Sequence, residues 1–366
     1  MIVARIVVFI AGAAAVYATF GSAVRTVILP RAVPAKLGRL VFLRMRDLFR
    51  LWAGPGATYE RRDRVMALYA PVSLLVLLGV WVTLVIVGYT GMFWGLGGRS
   101  VRTAFRLSGS SVLTLGFERP VDLPATVLSF TEAGVGLVLL AMLITYLPSI
   151  YASFSRRENA VTALEIRAGS PPSGVEMIER YWILGRVDRL EEVWRDWETW
   201  FVQVEESLSS FPALVFFRSP QPDHSWVTAS GAVLDAASLV SSTVDVPRNV
   251  QAEFCIRAGY LALRRIADFF GIPYDPDPKK GDPITIGRDE FDEAYDRLAR
   301  AGAPLKPDRD ECWLNFAGWR VNYDTVLVAL AGLTMAPYAP WSSDRSIRTW
   351  RPRLFQRRAK VVRPPG

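Results

Sequence analysis

The stretch from Ser108 to Pro120, SGSSVLTLGFERP, brings three serines, a threonine and two glycines together between two long apolar runs. Carbonyl oxygens of a glycine-containing extended strand can replace the hydration shell of a cation. Irregular backbone of this kind survives at membrane depth only where it lines a water-filled cavity. The stretch then closes on Glu118 and Arg119, two opposite charges beside the residues that would meet the ion. Beside such an ion path the Glu118 carboxylate would attract cations. Arg119 would oppose it, and pairing between the two would cancel both.

Other reactive residue types are sparse. His224 stands alone in the Pro/Asp-rich turn SPQPDHSWV, where a solvated imidazole is the expectation, and no second histidine supports a metal site. Asp275, Asp277 and Asp282 are spaced for calcium, but the intervening prolines and the missing Glu at the twelfth position fail the EF-hand pattern. No GxxxxGK[ST] occurs, and no GxGxxG follows a strand. Cys255 and Cys312 lie far apart and suggest reduced thiols. The chain therefore reads as no enzyme and as having no cofactor, beyond a permeant monovalent cation.

The elements that must position these residues are apolar. Mean hydropathy is +0.21. Residues 6–24 and 65–98 carry no charge, and 123–155 carry only Glu132. About 20 apolar residues span a bilayer as a helix, so spans are predicted near 3–28, 67–94 and 124–150. Small residues in the first run also fit a signal peptide. A retained helix is favoured because cleavage would export the basic segment that follows. That segment, 29–65, holds nine Lys or Arg, and short basic loops stay in the cytoplasm. The N-terminus is then outside, 91–123 is outside and everything after 150 is cytoplasmic, in a multi-pass protein of the plasma (inner) membrane.

Within this linker, KLGRLVFLRMRDLFRLW (36–52) has helical apolar spacing with Arg39, Arg46 and Arg50 largely on the other face. It predicts an interfacial helix on anionic headgroups, against the alternative of a short cytosolic helix. Tyr89, Phe93 and Trp94 suit the outer interface. Net charge is +9 over 1–150, −9 over 151–344 and +8 over 345–366. The overall +8 thus reflects topology and a basic tail, with no nucleic-acid footprint.

Between the second and third spans, 100–113 can form a short helix, followed by Thr-Leu-Gly-Phe, a proline and the next span. Here the chain resembles the potassium-channel pore module, two membrane helices around a pore loop, over about 67–160. The family filter is usually Thr-Val-Gly-Tyr-Gly-Asp; Thr114, Leu115, Gly116 and Phe117 match its first four positions in type. Ser110 and Ser111 match the end of its pore helix. Glu132, with Gly134 and Gly136, fits the outer part of its inner helix, where a glycine acts as gating hinge. SFSRREN resembles that helix's basic exit. Glu118 and Arg119 replace the family's second glycine and aspartate, and a Cβ at that glycine costs about 1 kcal/mol or more. The resemblance implies a homotetramer in the lipid bilayer, with a weakly selective cation pore. Arg102 and Arg106 in the pore helix need a partner or outer water, and Glu132 is a candidate.

The expected architecture is all-α: a first transmembrane helix over 1–28, a basic linker over 29–66, and a pore-like module over 67–150 with its loop at 95–122. A linker at 151–174, a helical cytoplasmic domain at 175–344 and a disordered basic tail at 345–366 follow. Helices are predicted in 175–210 and at 226–241, 248–271, 288–302 and 310–336, with ALVFF (213–217) as one short strand. Ser225 and Asp289 are read as helix starts. Trp194, Trp197, Phe201 and Val204 form a stripe read as core. The domain would take a cytoplasmic ligand or protein partner of unknown identity, and the tail and linker anionic lipid. A non-conducting scaffold or sensor on the same module, or a membrane-anchored enzyme, are the other readings.

Overall fold

A computed structural model of the chain describes residues 2–27, 36–54 and 64–345. Among them the regular structure is helical throughout, with no strand. Three helices are long and apolar enough to cross a membrane: α1 (Ile2–Val27), α3 (Tyr69–Gly95) and α5 (Leu123–Ala168). Helix α2 covers Lys36–Ala53 and helix α4 covers Val101–Val112. The described residues divide into two compact units, one comprising 2–27, 36–54 and 65–152, the other residue 64 and 153–345.

In the first unit, α1 packs along α3. Glycines set how closely. A Cβ added at Gly12 would lie 2.4 Å from the Gly88 carbonyl oxygen, and one at Gly95 would lie 2.8 Å from that of Arg5. Small residues at such crossings let backbones approach, which is how apolar helices associate where water offers no driving force. Helix α2 also packs on α3. Val41, Phe42, Leu43 and Phe49 are buried, and the Tyr69 hydroxyl donates to the Phe42 carbonyl at 2.7 Å. The predicted polar face is corrected at Arg46, which is buried and lies 3.5 Å from Asp47. Tyr89 and Phe93 are likewise buried inside the unit, where the sequence suggested an interfacial belt.

The third apolar helix is longer than the predicted 124–150. It runs unbroken through Pro148 to Ala168, so most of the expected 151–174 linker is helix. Its last turns belong to the second unit, where Val161, Leu164 and Ala168 are buried.

That second unit adds seven helices: α6 (Gly174–Ile183), α7 (Leu190–Ser210), α8 (Trp226–Ser242), α9 (Val250–Phe270), α10 (Arg288–Arg300), α11 (Arg309–Arg320) and α12 (Asp324–Thr334). Helix α8 is buried almost all round. The α7 stripe of Trp194, Trp197, Phe201 and Val204 is core, as the spacing suggests. Three details differ from expectation. Residues 212–216 form a 3-10 turn rather than a strand. Gly287 precedes α10, its N–H donating to the Glu290 carboxylate at 2.8 Å, so the helix starts before Asp289. The predicted 310–336 helix is broken at 321–323.

Buried charge explains that break. Arg320, fully buried, pairs with Asp235 and, at 2.7 Å, with Asp324; it also donates to the Trp341 carbonyl. Asp324 accepts from both the N–H and the hydroxyl of Thr285 at 2.8 Å, and Tyr323 donates to Asp235 at 2.9 Å. Burial works against the charged guanidinium, yet the two carboxylates hold Arg320 above its ordinary range. Burial pushes the Asp235 carboxyl up, against the pull of Arg320. Ending α11 at Arg320 and restarting at Asp324 supplies the geometry that satisfies all these groups.

Candidate functional site

The site is built on the return between α3 and α5. Helix α3 ends at Gly95, and Gly97 and Gly98 take φ of 89° and 73°, left-handed values that favour glycine and let the chain reverse. Ser100 then caps α4 by accepting from the Thr103 N–H at 3.1 Å. Helix α4 runs back along α3. Ser108 reaches the Ile86 carbonyl at 3.1 Å. Ile86 lies about 14 Å from the end of α3 at the usual helical rise. At the other side, Val112 meets α5 at Gly136, where an added Cβ would be 2.4 Å from the Val112 carbonyl oxygen. Gly136 is about 20 Å along α5 from Leu123. The backbone then returns irregularly over 113–122. An ion pair between Arg99 and Asp122 closes the two ends of the excursion, and Asp122 also accepts from the Ala125 N–H at 2.8 Å.

The segment from Thr114 to Phe117 is exposed on this unit. It is not uniformly extended: Thr114 has φ 53° and Gly116 φ 71°. A glycine is at home at the second value, whereas threonine is strained at the first. Ser110 anchors the segment. Its carbonyl accepts from the Leu115 N–H at 2.8 Å, and its hydroxyl accepts from the Glu118 N–H at 3.1 Å. Ser111 bonds back to the Leu107 carbonyl within α4 at 2.9 Å. Among the described residues, no hydrogen bond reaches the carbonyl oxygens of Thr114, Leu115, Gly116 or Phe117.

The charged partners differ from expectation. Glu132 is fully buried, but it accepts from the Ser108 hydroxyl rather than pairing with an arginine. Its other oxygen has no partner among the described residues. Glu118 pairs with Arg106 at 3.1 Å, not with Arg119. The Arg106 guanidinium also lies 5.9 Å from the Phe117 ring centre. Arg102 and Arg119 are exposed. Of the two glycines singled out, only Gly136 makes a close approach; Gly134 faces open space.

Ser108 and Arg106 are the residues that sequence reasoning undervalued. Ser108 carried a signal, since a lone carboxylate buried on a long apolar helix needs a hydroxyl or cation partner. Arg106 carried one too, being opposite in sign to Glu118.

Elsewhere, His224 is corrected from solvated to buried, with Nε2 3.2 Å from a Glu165 carboxylate oxygen. It lines a hollow with Arg218, Ser219, Trp226 and Thr334 whose free volume, about 20 Å³, suits one water molecule. Cys255 and Cys312 are free and buried, and burial pushes the Cys255 thiol up. Among the described residues, no group of three His, Cys, Asp or Glu could hold a metal. The expected tail at 345–366 lies outside the described residues except for Arg345, which bonds Glu290, and most of the basic linker beyond α2 lies outside them too. No family model, curated protein or solved structure matches the chain.

Proposed function

We propose that the protein is a potassium-channel-like, pore-loop membrane protein that works as a homotetramer and passes monovalent cations weakly. One observation carries this reading: among the described residues no hydrogen bond reaches the carbonyl oxygens of Thr114 to Phe117, on a segment that follows a helix turned back deep along two apolar helices. In hydrocarbon each unsatisfied carbonyl costs several kcal/mol. Facing a hydrated axis, the same oxygens can take the place of an ion's water. One copy cannot enclose an ion. An exposed apolar stripe on α5 at Leu140, Ile144, Leu147 and Tyr151 is surface for other copies or for lipid.

The basic 29–65 segment supports an N-terminus outside and a helical unit in the cytoplasm of a plasma (inner) membrane protein. That unit is then the regulator, or a platform for a ligand or protein. The basic linker and tail would meet anionic lipid. Cross-linking in mild detergent, paired with potassium and sodium flux into liposomes, tests the reading. A four-fold ladder with flux that prefers potassium only weakly is expected. A monomer removes the pore. A second reading, a non-conducting scaffold on the same module, is favoured by Glu118 standing where a glycine suits the filter backbone. An intact tetramer without flux would select it.

A further inference from the structure

The charge at the mouth of this site is set by how Glu118 is held. Between 99 and 122 the chain carries four arginines and two acids. Both acids are engaged within the same copy. Asp122 pairs with Arg99. Glu118 turns back onto α4, where Arg106 meets it at 3.1 Å and the Glu118 N–H is fixed by the Ser110 hydroxyl at 3.1 Å. The Glu118 side chain is 22% exposed as a result. Arg102, one turn before Arg106, and Arg119, the next residue after Glu118, are both exposed, and neither has an acidic partner among the described residues. Asp122 stays 47% exposed but is held by Arg99, so the exposed side chains left without an opposite charge, Arg102 and Arg119, are both positive.

We propose that Arg106 is a positioning residue that withholds Glu118 from the mouth, so that the assembled mouth presents rings of Arg102 and Arg119 and holds cation entry down. This rests on the tetrameric pore reading. A ring of like charge in a narrow, low-dielectric vestibule changes the local concentration of permeant ions strongly at low salt. Glu118 is then a masked carboxylate, opposite in effect to the acidic ring that its position beside the filter-like segment suggests.

The test uses the full chain in liposomes, with potassium flux read at low and high salt and the oligomer checked by cross-linking for every variant. Arg106→Gln should release four carboxylates and raise flux about threefold or more at ~20 mM salt, with the gain fading near 1 M, where screening is about 3 Å. Glu118→Gln should release four guanidinium groups and lower low-salt flux. In the double variant the two effects should offset. Arg119→Gln should raise flux with the same salt dependence. If flux is present but Arg106→Gln and Glu118→Gln shift it in the same direction, or equally at low and high salt, the masking is wrong while the pore stands. If no variant passes potassium although the tetramer is intact, the pore reading fails and the masking with it.

Discussion

Single side chains in this protein act mainly by satisfying or masking charge. Arg320 is the clearest case, since a buried guanidinium with two carboxylates forms a unit whose parts cannot be removed singly. Arg320→Ala leaves Asp235 and Asp324 buried without a counter-charge, and such losses cost about 3–5 kcal/mol. The expected result is a second unit that unfolds at markedly lower urea by tryptophan fluorescence. Arg320→Lys should rescue only part of this, because one ammonium cannot serve three acceptors arranged around a planar fork. Nearer the surface, Arg345 bonds Glu290 at 2.6 Å and holds that carboxyl below its ordinary range. A depressed carboxyl contributes stability that is complete above the ordinary value, near pH ~4.3, and is lost as pH falls through the lowered one. Acid unfolding should therefore steepen below about pH 4, and Arg345→Gln should flatten that limb while leaving the neutral baseline lower.

Among the elements, the apolar helices are placed by glycine. Gly88→Leu should break the α1–α3 crossing, because a Cβ there already falls 2.7 Å from Val16 and 2.9 Å from the Gly12 carbonyl oxygen. Cysteine pairs across the crossing that cross-link in the parent should cease to do so, while Gly79→Leu, at a site open to its surroundings, should leave them intact. Helix α4 is held the same way at its far end. Gly136→Val would drive a side chain into Val112 and displace the segment from Thr114 to Phe117; on the pore reading proposed above, flux and tetramer yield should both fall. The continuous α5 is a different kind of element. Pro148 sits inside it without ending it, and its C-terminal turns are anchored by Arg157, which donates to the carbonyls of Leu214 and Phe217 at 2.8 and 2.7 Å.

At the scale of the whole molecule, the boundary between the units falls inside α5, at 152–153. A fragment beginning at 153 should fold as a soluble helical unit. One beginning at 175 would lose Arg157, Glu158, Val161, Leu164 and Ala168, all buried in the second unit. It should aggregate or show a broadened thermal transition by circular dichroism. Equal behaviour of the two fragments would mean that the end of α5 adds nothing to that unit.

Composition and periodicity were enough for the three apolar helices, the all-helical class and the tryptophan-rich core, because each depends on a local pattern that a single segment must satisfy. The short helix from Ser100 and the irregular backbone at Thr114 to Phe117 were legible for the same reason: a run with few breakers and then a glycine. Partners were not legible. Whether Glu118 meets Arg119, its neighbour in sequence, or Arg106, twelve residues earlier, depends on how the backbone returns over α4. Whether Glu132 meets an arginine or Ser108 depends on where α4 crosses α5. The break at 321–323 and the burial of His224 likewise follow from charges and carbonyls brought together from distant segments. Periodicity says which face of a helix is apolar; only the packed backbone decides which polar group lies within three ångströms of another.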